Sequence, residues 1–221
     1  MPLLTPSETS RPSELKATPV SLSSLQPAPT DRAAFVGQTG SGKTTLAQRL
    51  LATRAYVVVL DGKGTLDWPG YDFQRSLNDA MKSKAPRILY RPTYEELADV
   101  DTQDAFFEWI FRRRNTTVYV DELATVTQGD QYPFHFGACF TRGRELNIET
   151  WCSTQRPTRI PQIVLSESEH VYCFRLRLYQ DRAKVEQTAQ IPESAIVGLP
   201  KQEFIYARQD ADPSGRLKLH L

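Results

Sequence analysis

The feature that most constrains this chain is a glycine-rich run that fits the phosphate-loop (Walker A) pattern of Gly, any four residues and Gly-Lys-Thr. An apolar run at 33–36 predicts a buried strand before it, and leucines at helical spacing in 45–51 predict a helix after it. A strand-to-helix turn of this kind presents backbone N–H groups and a helix N-terminus to polyphosphate. A chance glycine-rich turn would not need these flanks. We therefore predict a nucleotide site here.

The predicted nucleotide contacts come from the whole loop and the residue that follows it. These residues are Gly37, Gln38, Thr39, Gly40, Ser41, Gly42, Lys43, Thr44 and Thr45. Lys43 is expected to reach the β- and γ-phosphates, and the Thr44 hydroxyl is expected to ligate Mg²⁺.

A second motif follows another predicted strand, where the apolar run 117–120 ends in Asp121 and Glu122. In a nucleotide site Asp121 would hold Mg²⁺ opposite Thr44, and Glu122 would orient and deprotonate the attacking water. An acid after a strand is, on its own, more often a solvated loop residue, but the phosphate loop favours the functional interpretation. The paired acids favour an ATPase with its own catalytic carboxylate over a GTP-dependent switch. ATP and Mg²⁺ are therefore the predicted cofactors.

A third motif is the predicted strand 148–153, which runs on to the polar residue Gln155. In ATPases with a catalytic Glu, the strand between the phosphate-loop strand and the acidic strand presents such a group to the γ-phosphate. Gln155 would then distinguish ATP from ADP or help to place the water. The alternative is a polar strand end that caps the following turn.

Strands and helices alternate from Asp31 onward, which predicts an α/β fold with a mainly parallel central sheet flanked by helices. Helices are expected within 94–114, 132–146 and 180–190, and a C-terminal hairpin is expected from 204–207 and 217–219. Residues 1–30 are rich in Pro, Ser and Thr. They predict either a disordered tail or an extended arm with an edge strand broken at Pro19. Residues 31–221 are expected to form a single ATPase domain.

Composition adds few constraints. The net charge of +1 neither indicates nor excludes a nucleic-acid partner, because a local basic stripe disappears in the average. The three cysteines, Cys139, Cys152 and Cys173, form neither a metal pattern nor a disulfide framework, which favours a reducing, intracellular compartment. No stretch of the sequence approaches the roughly 18 apolar residues of a membrane span.

The region around the third motif resembles a known superfamily. Gly143-Arg144-Glu145-Leu146-Asn147-Ile148, a strand and Ser153-Thr154-Gln155-Arg156-Pro157 are similar to the signature of the FtsK–HerA ATPases, which pump double-stranded DNA. The run Asp61-Gly62-Lys63-Gly64 also resembles this superfamily. The small size suggests the genome-packaging ATPases of tailless viruses with an internal membrane. The resemblance spans about 31–161 and departs at Asn147, where Gly is usual; Asn tolerates a left-handed turn.

The resemblance implies a RecA-like fold and a catalytic arginine supplied to a neighbouring subunit. Arg144 is the residue it points to, Arg142 is the second candidate, and Arg156 is a candidate for action within its own subunit. An arginine at a helix end can equally be an ordinary solvated residue favoured by the helix dipole. The cluster 112–114 is either a DNA contact or a set of helix-terminal charges of the same kind.

The function implied by the resemblance is ATP-driven translocation of double-stranded DNA, above all into a preformed viral capsid. It implies a homo-oligomeric ring, a pentamer or hexamer, with partners at the capsid vertex or in a membrane. It places the protein in the host cytoplasm or at the packaging vertex of the virion. A motor for conjugation, export or end resection is the alternative within the superfamily. A non-translocating, NTP-dependent assembly switch is the alternative from another class.

Overall fold

The computed structural model describes residues 17–64 and 67–219 of the 221-residue chain. The strands in this part of the chain are β1 Thr18–Val20, β2 Ala33–Val36, β3 Val57–Asp61, β4 Asp72–Gln74, β5 Arg87–Tyr90, β6 Thr116–Asp121, β7 Ile148–Thr154, β8 His170–Phe174, β9 Glu203–Arg208 and β10 Arg216–Leu219. The α-helices are α1 Lys43–Leu51, α2 Leu77–Lys82, α3 Tyr94–Ala98, α4 Val100–Arg113, α5 Phe134–Arg142, α6 Gln162–Ser166, α7 Tyr179–Ala189 and α8 Glu193–Val197. The 3-10 turns are Leu22–Leu25, Leu123–Thr125, Gly143–Leu146 and Pro157–Arg159.

The strands form one sheet in the order β1-β10-β9-β8-β2-β7-β6-β3-β5-β4. The seven strands from β8 to β4 are all parallel, whereas β9 is antiparallel to both of its neighbours. The predicted mainly parallel sheet and C-terminal hairpin are confirmed. β7 lies between β2 and β6, as the third motif requires, so the carboxyl ends of the three motif strands meet at one edge of the sheet.

Helices cover both faces of the sheet. One face packs against α2, α4, α5, α6, α7 and α8, through side chains that include Phe107, Phe136 and Val185. The other face packs against α1 and the N-terminal segment, with Leu25 and Leu50 buried there. Strand residues point alternately to the two faces, so β2 supplies Ala34 to the first core and Phe35 to the second.

Two predicted helices differ from the observed ones. The segment 94–114 divides into α3 and α4 because Asp99 takes an extended conformation and its carboxylate accepts the backbone N–H of Thr102 as an N-cap. The segment 132–146 begins its helix only at Phe134, after Pro133, and tightens to a 3-10 turn from Gly143. Asn147 ends this turn in the left-handed conformation, with φ 54°, as its tolerance of that region predicts.

The N-terminal segment confirms an edge strand but corrects its form. β1 pairs in parallel with β10 at the outer end of the sheet, and Pro19 lies in the middle of this strand instead of breaking it. An edge strand tolerates proline because it forms hydrogen bonds to a neighbouring strand on one side only, so not every N–H is needed as a donor. Residues 1–16, which belong to the predicted tail or arm, lie outside the described residues. Within the described ranges, no helix has the length and apolarity needed to cross a membrane.

Candidate functional site

The phosphate loop lies between β2 and α1, as predicted, and its conformation depends on glycine. Gly37 has φ 153°, and a Cβ atom there would lie 2.5 Å from the Cβ of Phe174. Backbone hydrogen bonds fix the loop to its surroundings, from Gly37 N to Thr154 O and from Gln38 N to Arg175 O, at 3.1 and 2.9 Å. The loop is therefore held by the strands on both sides of β2.

Lys43 folds back over the phosphate loop. Its ammonium donates to the carbonyl oxygens of Gly37 and Gln38 at 2.7 and 3.1 Å, and the residue is only 7% exposed. Burial lowers the pKa of Lys43 from 10.5 to about 8, although the negative charge of Glu122 opposes the change. A polyphosphate in the loop would supply the counter-charge that these two carbonyls provide only in part.

Asp121 and Thr44 meet at the start of α1. The Thr44 hydroxyl donates to Asp121 Oδ1 at 3.2 Å, and the hydroxyls of Tyr119 and Ser153 donate to the same oxygen at 3.1 and 2.9 Å. Burial, together with the charge of Asp121, raises the pKa of Tyr119 well above 10, so this hydroxyl remains a donor. The three donors orient the carboxylate through Oδ1, and no described residue donates to Oδ2, where another ligand can bind.

These oxygens suit magnesium. Mg²⁺ prefers hard oxygen ligands and is usually held by one or two carboxylates together with substrate phosphates. Asp121 and Thr44 form such a set. Among the residues described, no group of three or more His, Cys, Asp or Glu side chains could hold a metal alone. The donor set therefore fits a metal that arrives with a nucleotide.

Glu122 follows Asp121 in a left-handed conformation, with φ 61° and ψ 74°. This region is sparsely populated by residues other than glycine, and it persists where surrounding contacts impose it. Here Glu122 N donates to Ser153 Oγ at 3.1 Å, and Oε1 accepts from Thr154 Oγ1 at 3.0 Å and from Gln155 N at 3.2 Å. Oε2 lies 2.7 Å from the ammonium of Lys63. The side chain is thus placed beside the phosphate loop with a fixed orientation.

Gln155 lies directly beyond β7 and contacts the phosphate loop. The Thr39 hydroxyl donates to Gln155 Oε1 at 2.6 Å. This contact joins the residue predicted to respond to the γ-phosphate with the loop predicted to bind it. The structure therefore brings Lys43, Thr44, Asp121, Glu122 and Gln155 together at the carboxyl edge of the sheet.

Arg144 and Arg142 lie near the amino ends of the strands, at the opposite end of the sheet from the phosphate loop. Both precede β7, whose seven residues separate them from Gln155 by roughly 20 Å at about 3.3 Å per residue. The Arg144 guanidinium is 64% exposed and lies 3.2 Å from Glu169 and 3.6 Å from Asp31, which precede β8 and β2. This position agrees with the expectation that Arg144 is out of reach of its own phosphate loop.

The remaining candidate arginines have local partners. Arg156 Nε lies 2.9 Å from Asp181 Oδ2 at the start of α7. Arg112 pairs with Glu108 on the surface of α4, and Arg113 lies over the ring of Trp109. These contacts account for the cluster at the end of α4 as helix-terminal charges and leave its interaction with DNA a prediction.

Four residues that organise the site had no role predicted from the sequence: Lys63, Tyr119, Ser153 and Thr154. Three of them, Lys63, Ser153 and Thr154, lie in the runs that carry the family resemblance. Each reaches Asp121 or Glu122 from the same strand or a neighbouring one. Tyr119 precedes Asp121 by two positions and Ser153 precedes Gln155 by two, so alternation along the strands was the available signal for these two. Thr154 is adjacent to Gln155, so alternation does not single it out. No single segment of the sequence predicts the strand order that brings Lys63 to Glu122.

The phosphate loop, the acids Asp121 and Glu122 at the end of β6 and the mainly parallel sheet define a P-loop NTPase. The sequence is 26% identical over 188 residues, 79% of this chain and 81% of the relative, to the DNA packaging ATPase P9 of Enterobacteria phage PRD1. This homologue confirms the resemblance to viral genome-packaging ATPases. No protein-family model matches the chain.

Solved structures agree on the fold. The genome packaging NTPase B204 from Sulfolobus turreted icosahedral virus 2, in complex with AMPPCP, superposes with a TM-score of 0.72 at 16% identity and covers 88% of this chain and 100% of its own. VirB4 of Thermoanaerobacter pseudethanolicus superposes with a TM-score of 0.62 at 10% identity, over 86% of this chain and 89% of its own. The fold is therefore shared by a genome packaging NTPase and by VirB4, a protein that is not named for packaging.

Proposed function

We propose that this chain is an ATPase motor that translocates double-stranded DNA and packages a viral genome into a preformed capsid. The observation that carries the proposal is the convergence of phosphate loop, Asp121, Glu122 and Gln155 at one sheet edge, in a chain homologous to a packaging ATPase. The match extends over most of both chains, which supports a shared function more strongly than a shared loop would.

The chain's residues divide the hydrolytic step among them. The loop N–H groups and Lys43 bind the β- and γ-phosphates, and Thr44 and Asp121 hold Mg²⁺. Bound Mg²⁺ would supply positive charge to the phosphate oxygens. Glu122 accepts a proton from water as the water oxygen bonds to the γ-phosphorus, and the bond to the β–γ bridging oxygen breaks. Gln155 responds to the presence of the γ-phosphate and passes the change to β7.

We propose that Arg144 completes the site of a neighbouring subunit. It lies at the opposite sheet edge from its own phosphate loop and is held on the surface by Glu169 and Asp31. A head-to-tail contact, in which the amino ends of the strands in one copy face the phosphate loop of the next, closes into a ring when the rotation between successive copies divides a full turn. Phe134, which is 77% exposed at the start of α5, supplies apolar surface on the helix that carries Arg142. Arg142 is the second candidate for the same role.

The cellular setting follows from the proposed activity. A packaging motor works where DNA and empty capsids meet, which is the host cytoplasm or the packaging vertex of the virion. Its partners would be duplex DNA, other copies of the chain and proteins of the vertex or of the viral membrane. We propose that residues 31–221 form the ATPase unit and that residues 1–30 form an arm, in which β1 pairs with β10.

The test is the rate of ATP hydrolysis with and without duplex DNA, over protein concentrations that span assembly. The proposal predicts hydrolysis that rises with assembly and is stimulated by duplex DNA. It also predicts that Glu122→Gln retains ATP binding and loses hydrolysis, because the amide keeps the shape of the side chain but does not accept the proton. Slow hydrolysis that ignores both DNA and assembly would favour the assembly switch. Stimulation by DNA without filling of empty capsids would favour a conjugation or export motor.

A further inference from the structure

Lys63 forms the only ion pair with Glu122 among the described residues, and none of the roles assigned above explains it. Its ammonium lies 2.7 Å from Glu122 Oε2, and the two side chains are 33% and 9% exposed. Lys63 belongs to the turn after β3, whereas Glu122 follows β6. The two strands are neighbours, paired in register at Asp61 and Asp121, so these turns emerge side by side.

The turn that carries Lys63 is built to hold one shape. The Asp61 carboxylate, which is fully buried, accepts the backbone N–H of Gly64 at 2.8 Å and pairs with Arg91 at 2.7 Å. Gly62 lets the turn approach the chain beyond Glu122, because a Cβ atom there would lie 2.7 Å from Thr125 Oγ1. A flexible surface lysine would not need this support. The turn therefore fixes the point from which the Lys63 side chain extends.

Counting acceptor positions shows what the ion pair does to Glu122. Each carboxylate oxygen has two lone-pair positions. Those of Oε1 are both occupied, by the Thr154 hydroxyl and the Gln155 N–H. Lys63 occupies one position of Oε2. The remaining position on Oε2 is where a water molecule can donate its hydrogen to this carboxylate.

We propose that Lys63 is a positioning residue for hydrolysis, which holds Glu122 so that Oε2 alone receives the proton of the attacking water. This inference rests on the proposed ATPase function. It adds which carboxylate oxygen of Glu122 accepts the proton and which residue holds that oxygen in place. Without the ammonium, the carboxylate can rotate about its last side-chain bond and exchange the roles of its two oxygens, since only the Oε1 side remains held. Misplacement of a catalytic group by about 1 Å can lower a rate by about 100-fold.

The experiment compares Lys63→Met, Lys63→Arg and the control Lys201→Met in steady-state ATP hydrolysis. Lys201 is an exposed lysine whose Cε lies 3.9 Å from a Cβ placed on Gly40, so its loss removes a charge near the phosphate loop without touching Glu122. We expect Lys63→Met to lower kcat by about 10- to 100-fold with KM unchanged within about twofold. Lys63→Arg should recover most of the loss, because a guanidinium can also pair with Oε2. Lys201→Met should leave kcat unchanged within about twofold.

A second readout does not depend on turnover. The dissociation constant for AMPPCP, measured by calorimetry, should be the same for wild type and Lys63→Met, because Lys63 acts on Glu122 and not on the phosphates. In a Glu122→Gln background, Lys63→Met should cause no further loss in single-turnover hydrolysis, since the two residues act as one unit.

Three results would overturn the inference. One is a Lys63→Met enzyme with wild-type or higher kcat, and another is weakened AMPPCP binding by the same factor as the loss of rate, which would assign Lys63 to the phosphate. The third is failure of Lys63→Arg to recover activity while its thermal midpoint equals that of wild type. If the wild type itself does not hydrolyse ATP, the proposed function fails instead, so the two failures are distinguishable.

Discussion

The buried ammonium of Lys43 makes the stability of the nucleotide-free protein depend on pH in a way that can be calculated. Burial lowers the pKa of Lys43 from 10.5 to about 8. Since each pKa unit is worth about 1.4 kcal/mol, keeping this side chain charged in the folded protein costs about 3 kcal/mol near neutral pH. The nucleotide-free protein is destabilised by this buried charge, and a bound polyphosphate would offset the cost.

The sign follows from proton counts. Between pH 8 and pH 10.5 the unfolded chain keeps the Lys43 proton and the folded protein has lost it. The unfolded state then binds more protons, so the free energy of unfolding rises with pH in this window. Below pH 8 both states are protonated, and the full penalty applies. From about pH 7 to about pH 10 the contribution of Lys43 should therefore become more favourable by roughly 2 kcal/mol.

The measurement is urea unfolding of wild type and Lys43→Met in nucleotide-free buffer with a metal chelator, at several pH values in that range. Other groups that titrate there, including the tyrosines, are present in both proteins. They cancel in the difference between the two free energies of unfolding. We expect wild type to gain roughly 2 kcal/mol relative to Lys43→Met across the range. A difference that stays constant with pH would refute the argument that Lys43 is held charged in a desolvated position.

Two further substitutions test how the site is supported, each against a matched control. Ser153→Ala should lower the free energy of unfolding by about 1–3 kcal/mol and reduce hydrolysis, because it leaves the buried Glu122 N–H unpaired and removes a donor to Asp121. Its control is Thr150→Val on the same strand, whose hydroxyl is buried without a partner and whose loss should be neutral or stabilising in urea unfolding. Gly62→Ala should lower the free energy of unfolding by about 1–3 kcal/mol, because the new Cβ would lie 2.7 Å from Thr125 Oγ1. Its control is Gly198→Ala, which should lower the free energy of unfolding by less, because a Cβ atom there meets open space. Equal effects of a substitution and its control would contradict these contacts.

The parts of the fold that sequence reasoning predicted are those in which a local pattern carries the signal. The β2, phosphate loop and α1 unit combines a short apolar run, glycines and leucines at helical spacing, and each of these acts within a few residues. The acids at the end of β6 and the polar residue after β7 also carry a local signal, because each follows a short apolar run. The order of these strands, which placed Gln155 near the γ-phosphate, was taken from ATPases with a catalytic Glu and not from a local pattern.

The parts that were missed depend on contacts between distant segments. β4 and α2 are short, and the apolar side chains of α2 are buried by the rest of the fold, so the segment 72–82 has no strong period of its own. Pro19 seemed to end a strand, but its place at the sheet edge removes the need for its N–H. Lys63 reaches Glu122 only because β3 lies beside β6, 59 positions apart in sequence.

The central claim is that these subunits form a ring in which Arg144 of one copy acts in the site of the next, and mixing two inactive variants tests it most directly. Arg144→Ala lacks the arginine, Glu122→Gln lacks the carboxylate, and each alone should bind ATP and hydrolyse it poorly. In an equal mixture, about a quarter of head-to-tail interfaces join an intact Arg144 to an intact Glu122. We expect part of the ATPase activity to return once native mass spectrometry shows mixed assemblies. If mixed assemblies form and no activity returns, or if Arg144→Ala is fully active as a monomer, the ring motor with a shared site is contradicted.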